Sequence, residues 1–143
     1  GQVQVVAHVM VADTGRAINP MLVHGQLHGG LAQGLGHAMG ERADYDADTG
    51  QLRNGSFLDY FMPRADDFPL FVTLINDVPT DDNPLGVKGA GEGPTTGSPA
   101  AMMNAVVNAL SPFGITHLDL PATPERVWRA LHASTYSSES GTG

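Results

Sequence analysis

"NPMLVHGQLHGGLAQGLGHAM", residues 19–39, is the stretch on which the rest of the fold depends. Asn19 followed by Pro20 reads as a helix start. The asparagine side chain can accept a backbone N–H of the first turn, and proline at the first helical position gives up a donor that has no partner there. Leu27, Leu31 and Leu35 follow at intervals of four, which predicts a helix from Met21 to about Met39. Glycines at 25, 29, 30, 34 and 36 work against it, each by about 0.8–1 kcal/mol relative to alanine. Packing or a ligand must offset that cost, and small residues let a large neighbour come close, so this helix is expected to be buried. Gln26 and Gln33 are seven apart and share a helix face. An amide both donates and accepts, which suits the edge of a heterocycle. Bonding to loop carbonyls from a packed Gly/Ala helix would explain the two glutamines equally well.

Working outward, "VQVVAHVMV" (3–11) alternates, placing Val3, Val5, Val9 and Val11 on one face of a half-buried strand. "LFVTLIND" (70–77) is a second strand, rich in β-branched and aromatic side chains. Between them "DADTG" predicts a turn joining residues near 41–46 to residues near 51–57 in a hairpin. Ser98-Pro99 and Thr123-Pro124 repeat the cap-plus-proline signal, the first ahead of Met103, Val106, Val107 and Leu110, the second ahead of Val127, Trp128 and Leu131. The elements add up to an α+β domain over residues 1–133. Residues 134–143, "STYSSESGTG", have nothing to bury and are expected to form a disordered tail.

The chain has 143 residues, enough for one domain with a real core. Fifteen acidic against seven basic residues give a net charge of −8, which argues against nucleic acid or an anionic membrane surface as partner. No apolar run approaches the length of a membrane span. Without cysteine there is no disulfide and no cysteine ligand for an iron–sulfur cluster or zinc. The chain opens at Gly1 inside a strand-like alternation, as expected of the C-terminal piece of a longer polypeptide.

The second stretch that could carry chemistry is "NPLGVKGAGEGP", residues 83–94. It is not a Walker A loop, because Gly89 rather than Ser or Thr follows Lys88, and it lacks G-x-G-x-x-G spacing after a strand. Gly91 and Gly93 flank Glu92, so backbone can come close to whatever the carboxylate faces, and a carboxylate beside a buried reactive group is suited to act as a general base. A tight turn with its glutamate in water would look the same in local composition. His24 and His28 stand at i, i+4, with Glu41 further on, but no H-E-x-x-H motif or third ligand accompanies them, so hydrogen bonding and partial burial are expected rather than a metal site. Asp44, Asp46 and Asp48 lack the fixed glycine and closing glutamate of a calcium loop and read as a solvated turn.

Taken together, "DTGRAINPMLVHGQLHGGLAQGLGHAM", "YDADTGQLRNGSFLDYFMP", "PTDDNPLGVKGAGEG" and "LPATPERVWRAL" resemble the C-terminal part of the large subunit of the molybdenum hydroxylases, the family of xanthine dehydrogenase, aldehyde oxidase and aerobic carbon monoxide dehydrogenase. The wording is most similar to the carbon monoxide dehydrogenase-like branch. The resemblance implies a C-terminal molybdenum-cofactor-binding domain in which Glu92 is the general base at the molybdenum-bound hydroxide and water supplies the oxygen. It implies that Gln26 hydrogen-bonds the pterin, and that the backbone of Lys88, Gly89, Ala90 and Gly91 passes close to the metal. No side chain would ligate the metal, since the family holds it through a pterin dithiolene, in the molybdopterin cytosine dinucleotide form for this branch.

Further implications are 2Fe-2S and FAD groups on partner subunits or domains, the remainder of the large subunit as an immediate partner, and a cytoplasmic location. The Gly93-Pro94 pair departs from the Ala-Gly or Pro-Pro of many relatives, so carbon monoxide, an aldehyde and an N-heterocycle all stand as substrates. The stretch on its own is expected neither to retain cofactor nor to turn over. Two other readings remain at this point: a non-catalytic structural or assembly module that keeps the fold and partner surface, and a phosphate binder built on the glycine loop alone.

Overall fold

The computed structural model describes the backbone of residues 1–139 and the side chains through residue 133. In chain order the elements are β1 (Val9–Asp13), α1 (Pro20–Met39), β2 (Val72–Asn76), α2 (Gly93–Leu110), a single 3-10 turn (Ser111–Phe113) and α3 (Pro124–Glu139). They fall into two compact units. One consists of Gln4–Leu35 and Pro63–Pro99, and the other of Gly1–Val3, Gly36–Met62 and the chain from Ala100 onward.

In the first unit, β1 and β2 pair in parallel, from Val9 opposite Val72 to Asp13 opposite Asn76. Parallel neighbours need a long crossover, and here that connection includes α1. The strand is shorter than the alternation of 3–11 predicts, and its faces are reversed. Val9 and Val11 are exposed while Ala12 is buried, because the register turns Met10 and Ala12 to the same side as Thr73 and Ile75. Thr73 in turn accepts or donates to His24 Nδ1 at 2.7 Å and His28 Nε2 at 3.2 Å, which lays α1 against that side of the sheet.

Helix α1 begins where the Asn-Pro signal places it, with Leu22 N donating to Asn19 Oδ1 at 3.2 Å. Leu27, Leu31 and Leu35 are almost wholly buried. The expectation of a buried helix holds for one face only. Met21, Leu22, Gly25, Gln26, Gly29 and Gln33 are exposed, since the first unit packs chiefly against the leucine side.

Helix α2 starts at Gly93, five residues before the predicted Ser98-Pro99 cap. Pro94 sits in the first turn, where a missing N–H costs nothing, and Thr96 closes that turn on the Glu92 carbonyl through both its N–H (3.1 Å) and its hydroxyl (3.0 Å). Pro99 therefore lies inside the helix, and Ser98 is a buried packing residue rather than a cap.

In the second unit, Met102, Met103, Val106, Leu110, Ile115, Ala122 and Val127 are buried. Thr123 caps α3 as predicted, accepting Arg126 N at 3.3 Å. The predicted hairpin reduces to one isolated antiparallel bridge, Tyr45 opposite Leu52. Its turn is held by the Asp46 carboxylate, which accepts from Thr49 N, Thr49 Oγ1, Asp48 N and Arg53 Nη2, so that too few residues stay extended on either side to continue the ladder. Helix α3 takes in residues 134–139, the first six of the stretch expected as a tail. Residues 140–143 of that stretch lie outside the described residues.

Candidate functional site

The 83–92 loop is tied down on one side by the end of β1. Lys88 Nζ meets Asp13 Oδ2 at 2.6 Å, and Lys88 N donates to Thr14 O at 3.0 Å. Gly15 pairs with Val87, and Arg16 N donates to Gly86 O at 2.9 Å. Gly15 and Gly86 both sit at positive φ (60° and 67°), and a Cβ on Gly15 would run into the Gly86 carbonyl, so this crossing needs glycine. Asn83 brackets the turn, donating through Nδ2 to Val87 O and accepting Val87 N. The Asp13 carboxyl is held below its ordinary value, first by the Lys88 ammonium and then by the Gly15 N–H. Lys88 is thus an anchor for the loop, and its partner Asp13 has no local signal in the sequence, being 75 residues away.

Beyond this anchor the chain opens out. A Cβ built on Gly89 or Gly93 meets nothing within 4 Å. Glu92 is exposed and directly precedes α2, whose first turn fixes its carbonyl. The positive end of the α2 dipole therefore falls beside this carboxylate instead of six residues away. The described residues leave Glu92 open to solvent rather than buried as expected for a general base.

Gln26 is brought to the same place. A Cβ on Gly91 would lie 3.7 Å from Gln26 Oε1, in ordinary contact, so the amide of α1 faces the backbone of the loop. Of the residues singled out from the sequence, Gln26 and Gly91 are in reach of each other, Lys88, Gly89 and Ala90 lead up to them in the loop, and Glu92 follows. Gly25 and Gly29 are exposed with Gln26, and a Cβ on either meets nothing within 4 Å. At 3.6 residues per turn, Gly25, Gln26, Gly29 and Gln33 fall within about 100° of the helix circumference.

This arrangement fits a flat, polar-edged cofactor. Glycines clear the space on α1 and in the loop, and an amide that both donates and accepts stands between them. Among the described residues, no group of three or more His, Asp or Glu is placed to hold a metal ion. His24 and His28 are engaged with Thr73, and His8 packs edge-on to Phe71, its pKa lowered by burial. Among the described residues no helix is long and apolar enough to cross a membrane.

Residues 1–69 match the family described as the molybdopterin cofactor-binding domain. The chain is 40% identical over 131 residues to the carbon monoxide dehydrogenase large chain of Hydrogenophaga pseudoflava, covering 92% of this chain and 16% of that one. It is 45% identical over 130 residues to the nicotine 6-hydroxylase large subunit of Paenarthrobacter nicotinovorans, covering 91% and 16%. The structure of quinoline 2-oxidoreductase from Pseudomonas putida 86 superposes with a TM-score of 0.84 at 37% identity, covering 90% of this chain and 16% of that one. The chain thus spans about a sixth of the length of the relatives it matches.

Proposed function

We propose, from the premise that this chain belongs to the xanthine dehydrogenase, aldehyde oxidase and carbon monoxide dehydrogenase family and carries its molybdopterin-binding fold, that it forms the cofactor-facing C-terminal part of a molybdenum hydroxylase large subunit with Glu92 as general base. The observation that carries this reading is the approach of Gly91 to the Gln26 amide beside glycine faces that nothing among the described residues fills.

Gln26 would hold the polar edge of the pterin, and the backbone of Lys88, Gly89, Ala90 and Gly91 would pass close to the metal. When bound, the molybdenum cofactor supplies two-electron oxidation of a substrate carbon with water as the oxygen source. The work of this chain is separate from that. The Asp13–Lys88 pair and the Asn83 amide keep the loop in place, the first turn of α2 fixes the Glu92 backbone, and a Glu92 carboxylate oxygen takes up the proton released. Exclusion of water from Glu92 falls to the cofactor and the remainder of the large subunit.

The cofactor form is the cytosine dinucleotide. The 2Fe-2S and FAD groups that would accept electrons would lie on partner subunits or domains, in the cytoplasm. The substrate class is carbon monoxide, an aldehyde or an N-heterocycle, and the names of the two sequence relatives fall on both sides of that range.

Glu92→Gln in the complete enzyme tests the role. Turnover is expected to fall by about 10²–10⁴-fold, the usual contribution of a positioned base, at unchanged molybdenum content. Near-normal turnover would favour the alternative of a structural or assembly module.

A further inference from the structure

The two-stranded sheet has one face that nothing in its unit covers. The register places Val9 beside Val72 and Val11 beside Leu74 on the side away from Thr73, and so away from α1. These four side chains are 60%, 51%, 61% and 53% exposed. Leu70, two residues ahead of Val72, is 95% exposed as well. The face carries no charge, although the chain as a whole stands at −8. Parallel strands occur almost only where both faces of the sheet are covered, and a pair of strands alone is marginal at best.

We infer that the Val9, Val11, Val72, Leu74 face is a docking surface for the remainder of the large subunit, which seats an apolar helix or sheet layer on it. This rests on the reading of the chain as the C-terminal part of such a subunit. The relatives match this chain over 16% of their length, so most of the polypeptide available to cover the face lies outside this stretch. The absence of charge calls for a partner layer of aliphatic side chains rather than a basic surface drawn to an acidic chain. The same layer completes the second side of the sheet whose C-terminal end carries Asp13, the anchor of Lys88 and the glycine loop.

The chain has no cysteine, so Val11→Cys and Leu74→Cys each place a single thiol in it. In the complete enzyme, maleimide labelling of each, read by peptide mass spectrometry, is compared with labelling of the same enzyme unfolded. Suppression of about tenfold or more is expected, because the fold of this chain alone leaves both sites half open. Weaker suppression overturns the inference. Carbene footprinting of the unmodified enzyme over residues 9–11 and 72–74 reads the same surface if a variant fails to assemble. Cross-links from the face to a second copy of this chain would also overturn it. Molybdenum measured in the same samples keeps the two proposals apart. A covered face in protein without molybdenum leaves this inference standing and removes the cofactor reading, whereas an open face in molybdenum-loaded protein removes only the inference.

Discussion

Helix α1 carries two pairs of glycines that look alike in the sequence and do opposite things. Gly30 and Gly34 face inward. A Cβ on Gly30 would lie 2.9 Å from the Pro94 side chain, and one on Gly34 would run into the Ser98 hydroxyl. Gly25 and Gly29 face outward, and a Cβ there meets nothing within 4 Å. Each glycine costs the helix about 0.8–1 kcal/mol relative to alanine. The inner pair recovers that cost by letting the start of α2 pack against α1. Among the described residues nothing packs against the outer pair, as the proposed clearance for a cofactor requires.

The largest expected effect is on the inner side. Gly34→Ala forces the buried Ser98 hydroxyl and the Pro99 ring to move, inside a helix that has little room to give. Overpacking of this kind is destabilising by about 1–3 kcal/mol, which a shift in the urea midpoint of the purified protein would register. An unchanged midpoint would mean that α1 and α2 do not pack through these glycines, and the contrast between the faces would be lost.

On the outer side the sign reverses. Gly29→Ala gains helix propensity with no clash, so the fold is expected to become more stable by about 0.5–1 kcal/mol. In the assembled enzyme the same methyl group intrudes on the space left beside Gln26, and molybdenum retention during gel filtration or chelator challenge is expected to fall. A variant that is both more stable and fully loaded would show that the outer glycines are not clearance for a cofactor.

How much of this was legible in the sequence depends on how local the signal was. The Asn19-Pro20 and Thr123-Pro124 starts were readable because each is a contact between neighbours in the chain. The same reasoning misplaced the start of α2, since two prolines compete there and only Pro94 can occupy the first turn while Thr96 closes on Glu92. Alternation located β1 but not which side faces inward, because from Val9 to Ala12 both sides are apolar and the choice is made by Thr73, far along the chain, through its contact with His24. Gln26, Lys88, Gly89, Ala90, Gly91 and Glu92 could be singled out from residue types and family resemblance. Their juxtaposition, and the role of Asp13, required the fold.

The smallest expected effect concerns the anchor that separates the closed part of the loop from its open part. Lys88→Met removes the ammonium that is the main cause of the lowered Asp13 pKa, while the Gly15 N–H remains. In the folded protein the Asp13 carboxyl titrates below its ordinary value of 3.8. The pair therefore contributes stability above that value, loses it as pH falls through the folded pKa, and contributes nothing below. In Lys88→Met the Asp13 carboxyl, followed by carbon NMR, is expected to titrate closer to 3.8, and acid unfolding is expected to begin at higher pH. Both groups are partly exposed, so screening keeps the change in stability near neutral pH small. Molybdenum retention is expected to weaken less than in Gly29→Ala, because Asn83 and the Gly15–Val87 pairing still hold the loop. An Asp13 titration unmoved by Lys88→Met would show that the lysine does not hold the loop to β1, and would leave the Asn83 amide and the crossing glycines as the whole of the anchor.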